Sequence, residues 1–424
     1  TLNLTPYRLS FPFEDGSFIY LFENLIKNTW YVVIFSLISL YYLYKKNLYF
    51  LLFFLGFILS GPFYYYLMSQ PVYPIISKVT IEQFLSYPFY FIAVFSGIGL
   101  NLLYKRVQFA NKRYLFVLFL FIFIFPFINN FTRVRQDNNN LVVQTTKYVF
   151  SELPKNSIIL TAADSLYFPG LYLRYLDNYR PDIKIIDVTI LSDWYIKNFT
   201  DLYPGLSGLF DNSKFDFDKT CLEYAKDNKL YIYPWFPDFD TYFDKYCKVI
   251  PYGLVAKVVL KNTKIDLNEI KKFNDNSWNN FEKKVSIKSY RDSTIRDREG
   301  LNYLAEEINY QGLFYERNNK ENWAIDRYQL AQKISKDEIN SIVNEGAIYF
   351  KRNDLQKSLG VMKTGLENGS GDSQLYFALG FLYIKLNNQD RAYFYFKKYL
   401  EFNPPDSIQV ESVRNFVLKY ESTM

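Results

Sequence analysis

Histidine is missing from all 424 residues, cysteine occurs twice and methionine three times. Without imidazole, Ser-His-Asp and Cys-His nucleophiles and histidine-ligated metals are excluded, so proton transfer falls to carboxylates, lysine, tyrosine or a substrate. Two cysteines with no further ligand pair leave no finger-type or ribbon-type zinc site. No Gly-x-Gly-x-x-Gly or Walker-type phosphate loop opens a helix, which removes the usual modes of nucleotide binding. Basic blocks are lacking too. The net charge of +6 is thinly spread, and the stretch from Lys271 to Arg298 is broken by acids and asparagines. Nucleic acid is therefore not an expected partner.

What the first third does have is four long uncharged runs, Asn28 to Tyr44, Leu48 to Ser77, Gln83 to Tyr104 and Tyr114 to Thr132. Each holds an apolar stretch near the roughly 17 to 25 residues that cross a bilayer as a helix. The expected fold class is thus a multi-pass α-helical membrane region, then a small α/β domain, then an all-α repeat domain. The mean hydropathy of −0.13 averages unlike parts of the chain. Lys45, Lys46, Lys105, Arg106, Lys112 and Arg113 fill the two short connections, whereas Glu14, Asp15, Glu23, Glu82 and Asp137 dilute the basic residues on the other side. That bias places residues 1–27, the loop 68–83 and everything after about 129 outside the cytoplasm, as for a protein of a bacterial inner membrane or its equivalent. Thr1 is preceded by no Met, charged n-region or cleavable signal, so the opening reads as the interior of a larger protein.

Residues 140–262 alternate two periods. Leu141 to Leu153 reads as a helix, Ser157 to Thr161 as a strand, Asp164 to Tyr175 as a helix and Ile183 to Val188 as a strand, with further strands at Leu230 to Tyr233 and Leu254 to Leu260. Alternation of this kind predicts an α/β layer domain with a mostly parallel sheet. Cys221 and Cys247 flank the loop holding Pro234, Trp235 and Pro237. In an oxidising compartment they close a disulfide; two buried free thiols are the alternative. Residues 263–299 read as a linker.

Residues 300–424 repeat. Gly312, Gly346 and Gly380 stand 34 apart, as do Tyr315, Tyr349 and Tyr383, then Ala324, Ser358 and Ala392, then Tyr328, Met362 and Phe396. That is the tetratricopeptide period, with a small residue where two helices touch and a large one filling the gap. Such an array either presents a concave surface to a protein partner or braces a neighbouring domain.

Leu173 to Lys184, continuing through Ile186-Asp187 to Asp193-Trp194-Tyr195, resembles the post-membrane segment of a family of multi-pass GT-C-type glycosyltransferases. The family includes the protein O-mannosyltransferase of plexin-type IPT domains and bacterial relatives. Ile81-Glu82-Gln83-Phe84 with Gly97-Ile98-Gly99-Leu100, Ile158 to Asp164, Pro251-Tyr252-Gly253-Leu254, and Phe13 to Phe18 are similar to other family segments in the same order. The resemblance implies transfer of a hexose, mannose foremost, from a polyprenyl-phosphate donor to a protein or envelope acceptor on the extracytoplasmic face, with a divalent cation as a possible cofactor and membrane lipid as a partner. It also implies an acidic first outer loop ahead of Thr1, so the chain alone is expected to be inactive. The alternative is a non-catalytic anchored scaffold whose repeats recruit an envelope protein.

Candidate catalytic residues are Glu82, at the outward start of a helix, and the adjacent acids Glu14 and Asp15. Glu82 could equally serve as a helix-dipole partner. Gln83 stands where the family has arginine, which weakens a bidentate phosphate contact there. Candidate substrate-binding residues are Asp164 at a strand's carboxyl end, the charged set Arg174, Arg180 and Asp182, and the aromatics Trp194 and Tyr195. Their structural counterparts are a helix N-cap, a salt-bridge network and core packing respectively.

Overall fold

The computed structural model describes residues 86–106, 141–161, 164–188, 193–211, 214–233, 241–290, 295–336, 338–367, 372–402, 404 and 407–422, with short pieces at 36–39, 41–42 and 124. The chain divides into two units, 1–137 and 138–424.

In the first unit, helix α1 (Ser86–Arg106) packs with the piece at 36–39: the Ser36 and Ser96 hydroxyls lie 2.8 Å apart, and Ser39 Oγ donates to the Phe95 carbonyl at 2.6 Å. Among the described residues no helix is long and apolar enough to cross a membrane. This corrects the expected multi-pass region over 28–132. The expected span over 83–104 coincides with α1, whose apolar side chains are interrupted by Ser96, Gly97, Gly99 and Asn101 before it ends on Lys105 and Arg106. Absence of charge had been read as apolarity, yet serine, tyrosine and asparagine carry polar groups that an uncharged run conceals. The runs over 48–77 and 114–132, and 28–44 apart from its short pieces, lie outside the described residues but for residue 124.

The second unit begins with α2 (Leu141–Glu152), β1 (Ile158–Thr161), α3 (Asp164–Tyr175), β2 (Lys184–Asp187) and α4 (Asp193–Leu202). A small hairpin, β3 (Phe210–Asp211) and β4 (Lys214–Phe215), leads to α5 (Phe217–Tyr224), β5 (Leu230–Tyr233), β6 (Cys247–Tyr252) and β7 (Val255–Leu260). The main sheet runs β2-β1-β5-β7-β6, the first three strands parallel and the last three antiparallel. The sheet is therefore mixed rather than mostly parallel. The cause is local: Tyr252 pairs with Val255 across a two-residue hairpin led by Gly253 at φ +63°, and so tight a turn returns the chain antiparallel.

Every residue of β1 and β5 is buried, as in a sheet covered on both faces. Side chains alternate between two cores. Ile159, Ile185 and Tyr231 join Tyr148, Val149, Trp278, Phe281 and Leu304 on one face. Ile158, Leu160, Ile186, Leu230 and Ile232 join Cys221, Val258, Tyr315 and Tyr328 on the other. The stretch expected as a linker holds α6 (Leu267–Lys284), which is N-capped by Asp266 and buries only the narrow stripe Asn274, Ser277, Trp278 and Phe281.

Helices α7 (Ile295–Arg317) to α12 then form three antiparallel hairpins: α7 with α8 (Glu321–Ile334), α9 (Ile339–Lys351) with α10 (Leu355–Glu367), and α11 (Ser373–Lys385) with α12 (Gln389–Glu401). Helix α13 (Ile408–Glu421) closes the row. A Cβ on Gly312, Gly346 or Gly380 would meet Tyr328, Met362 or Phe396 at 2.4, 2.6 or 2.4 Å, so each glycine is what lets its hairpin close. Asn319, Asn353 and Asn387 turn the three hairpins at φ 57°, 59° and 54°, a left-handed backbone that asparagine tolerates.

Sheet and helices meet at Gly253. Its N–H donates to Asn274 Oδ1 of α6 (2.8 Å), and its carbonyl accepts from Gln311 Nε2 of α7 (2.7 Å). Asn274 Nδ2 donates on to the Tyr315 hydroxyl (3.1 Å). Beside it, Ser277 Oγ donates to Glu152 Oε2 of α2 (2.5 Å), and the Tyr148 hydroxyl lies 2.7 Å from both Glu152 Oε1 and the Ser277 carbonyl.

Gly253→Ala should cost roughly 2–4 kcal/mol, because the backbone has positive φ and the new methyl would meet Glu152 Oε2 and Ser277 Oγ, each at 2.6 Å. Urea unfolding followed by tryptophan fluorescence checks this. Cys221 and Cys247, both buried, are paired as a disulfide across a sequence separation of 26, with Cα atoms 6.3 Å apart. Replacing both by alanine should lower stability by about 3.5 kcal/mol, the chain-entropy value for such a loop, and make the urea midpoint insensitive to dithiothreitol.

Candidate functional site

Open α/β sheets bind ligands beyond the carboxyl ends of their parallel strands, where the chain reverses its direction across the sheet. Here β1 connects outward to β2, and the chain then returns past β1 to β5, so the reversal lies between β1 and β5. Thr161, Asp187 and Tyr233 end the three parallel strands at this edge, all buried. Asp164 begins α3 just after β1, while Trp194 and Tyr195 lie in the first turn of α4, which follows β2. The topology thus brings Asp164, Trp194 and Tyr195 to one edge of the sheet.

Helix α7 adds acids there that the sequence reading passed over. The Tyr233 phenol is pushed far up by burial, and Glu307, Tyr303 and Glu306 add to the effect. Burial, with Glu338 adding charge repulsion, raises the Glu306 carboxyl to about 7; burial also raises Glu338. A carboxyl that exchanges its proton near neutrality is the type of group general acid-base chemistry uses. A signal for these acids was present: Glu306 and Glu307 interrupt the buried stripe Leu301, Leu304, Ala305 and Ile308.

Arg174, Arg180 and Asp182 belong to the opposite edge, ahead of β1 and β2. Arg180 Nε and Nη2 each bond Asp182 at 2.9 Å. Nη1 donates to the carbonyls of Phe150 and Leu153 (2.9 Å for the latter), and Nη2 to that of Pro154 (3.0 Å). The guanidinium therefore caps the carboxyl end of α2, where a cation also suits the helix dipole. Asp182 Oδ2 accepts the Asn156 N–H at 2.9 Å, and its bonds to Arg180 hold its carboxyl down at about 2. Arg174 Nη1 donates to the Ile183 carbonyl (2.6 Å), and its guanidinium sits 4.7 Å from the Tyr203 ring centre. Arg180 and Asp182 thus form an ion pair that caps α2, while Arg174 bonds the backbone ahead of β2. Glu14, Asp15 and Glu82 lie outside the described residues.

The helical hairpins enclose a second candidate, a groove of about 530 Å³ walled by Val343, Ala347 and Phe350 of α9, Phe377 and Phe381 of α11, and Tyr399 of α12. Its polar lining comes from Ser373, Gln374 and Gln409, and among the described residues no charged side chain borders it. As to a divalent cation, no three carboxylate or thiol side chains among the described residues stand close enough to hold a metal ion.

No family model matches the chain, and the tetratricopeptide expectation finds no support among the comparisons. Over 124 residues the sequence is 27% identical to the protein O-mannosyl-transferase TMEM260 of mouse, a stretch covering 27% of this chain and 17% of that protein. The chain thus matches less than a fifth of its relative's length. This weak, partial relationship suggests a glycosyltransferase-like function.

Arg180→Lys should destabilise the protein by about 2 kcal/mol or more, since one ammonium cannot reach three carbonyls and grip a carboxylate in two places. In an acid titration of the parent, the Asp182 carboxyl binds its proton less readily folded than unfolded. Its stabilisation is present above about pH 4 and lost as pH falls toward 2. The steepness of acid unfolding between those values should drop in Asp182→Asn.

Proposed function

We propose that the chain is part of a glycosyltransferase of the GT-C, lipid-linked-donor type, which moves a hexose, mannose foremost, from a polyprenyl-phosphate carrier to a protein hydroxyl. The observation that carries this reading is the 124-residue similarity to a protein O-mannosyl-transferase. The reaction joins the acceptor oxygen to the anomeric carbon as the bond to the carrier phosphate breaks, and the hydroxyl proton passes to a base. Within this chain, which has no histidine, the carboxylates Glu82, Glu14 and Asp15 are the candidates for that base.

An extracytoplasmic setting is supported by the buried Cys221–Cys247 disulfide, a bond that persists in oxidising compartments. Residues 138–424 then serve to hold the acceptor, with the uncharged groove between α9 and α11 receiving an apolar segment of it. The same groove favours a second reading, a scaffold that recruits an envelope protein without chemistry of its own.

Full-length protein supplied with polyprenyl-phosphate mannose and candidate envelope proteins should transfer labelled hexose to protein, and Glu82→Gln should abolish transfer without loss of folding. Transfer unchanged in Glu82→Gln makes Glu82 structural. No transfer by folded protein with any hexose donor leaves the scaffold.

A further inference from the structure

Helix α3 is apolar on two sides. From Ser165 to Leu173 it carries no charged residue. Leu166, Gly170 and Leu173, spaced i, i+4 and i+7, form its buried stripe, and Gly170 lies so close to β2 that a Cβ there would meet Ile185 Cδ1 at 2.4 Å. Phe168, Tyr172 and Tyr175 repeat the same spacing two residues on, with Leu176 following them. This second stripe faces water: the four side chains are 57%, 46%, 53% and 76% exposed. A helix with apolar residues all round belongs in surroundings that cover it all round. The outer stripe is therefore a contact surface.

Its size and side-chain types select what it meets. Together the four side chains expose on the order of 400 Å², about half or more of residues this large, which is patch enough to mark a binding face. A stable protein interface takes about 800 Å² from each partner, so the stripe offers roughly half of what a second copy of the chain would need. A bilayer surface demands no such area and no matching shape, and aromatic rings with polar tips settle at the depth of its headgroups. Charge at the rim is mixed. Lys147 Nζ stands 5.1 Å from the Tyr179 ring centre and the Arg174 guanidinium 5.6 Å from that of Tyr175, while Asp177 is exposed between them in sequence. Neither sign dominates, so the lipid is met through apolar contact and not through headgroup charge. We propose that the outer face of α3 rests on a lipid bilayer, with Phe168, Tyr172, Tyr175 and Leu176 entering the boundary between headgroups and acyl chains. The docking rests on none of the transfer chemistry, and its test uses neither donor nor acceptor.

Nitroxide labels on the full chain provide that test, placed through Tyr172→Cys, through Leu176→Cys and, as a control, through Lys226→Cys. Lys226 is exposed just past α5, which packs on the opposite face of the sheet from α3. The buried Cys221–Cys247 pair is bonded and takes no label. Each label reports its own position, whatever else in the chain meets lipid. When phosphatidylcholine vesicles are added, collision of the labels at 172 and 176 with a water-soluble nickel chelate should drop about five-fold or more, and their collision with oxygen should rise, while the label at 226 keeps its aqueous values. Adding Phe168→Asp to the labelled Tyr172→Cys protein should restore most of the chelate access, because a carboxylate is costly to desolvate at that depth. Two label positions, each checked by circular dichroism, keep the test decisive if one substitution disturbs folding. Chelate access unchanged by vesicles at both positions overturns the proposal. So does equal shielding at 226, the mark of unspecific adsorption, and so does shielding at 172 and 176 before lipid is added with broadening between labels, which puts a second copy on the face.

Discussion

The backbone of a single glycine is where the sheet is tied to everything that follows it. Both hydrogen-bonding groups of Gly253 are used, one by α6 and one by α7, and the space a side chain would occupy is taken by Glu152 and Ser277. Buried backbone groups cost free energy when unpaired, so Asn274 and Gln311 have to be in place for the hairpin to exist in this form. The hairpin in turn sets β6 and β7 against β5 and makes the sheet mixed. A core built only from apolar contacts would allow the helices to slide over the sheet. Directional bonds at one point remove that freedom.

Much of the second unit was legible from its residues because its periods are clean. The helix over Asp164–Tyr175 and the strand over Leu230–Tyr233 were read with the bounds they have, and Gly312, Gly346 and Gly380 marked the three hairpins through their spacing. Helix α6 was missed because it is mostly polar and buries one thin stripe, so its composition resembles a linker. The expected membrane region failed for a different reason: lack of charge was counted as apolarity, and α1 shows how much serine, glycine and asparagine such a run can hold.

For the site, residue type was readable and residue role was not. Arg180 is a plausible anion binder in any sequence. Only the fold shows its guanidinium spent on three carbonyls and one carboxylate. Conversely, Glu306 and Glu338 resemble ordinary helix acids until the fold buries them and raises both carboxyls. Electrostatic character depends on neighbours distant in sequence, and no spacing rule supplies those.

The hairpins differ in how they are held. Helix α7 packs against α2 and β6 as well as α8, whereas α11, α12 and α13 contact chiefly the helices beside them. Stability in such a row is close to a sum of neighbouring interfaces. Tension applied at the carboxyl terminus would therefore peel α13 and then α12 with α11 in steps, each at its own force, and meet its greatest resistance only on reaching the helix anchored to the sheet. Mechanically, residues 138–424 are a firm grip on the sheet followed by helices that yield one hairpin at a time.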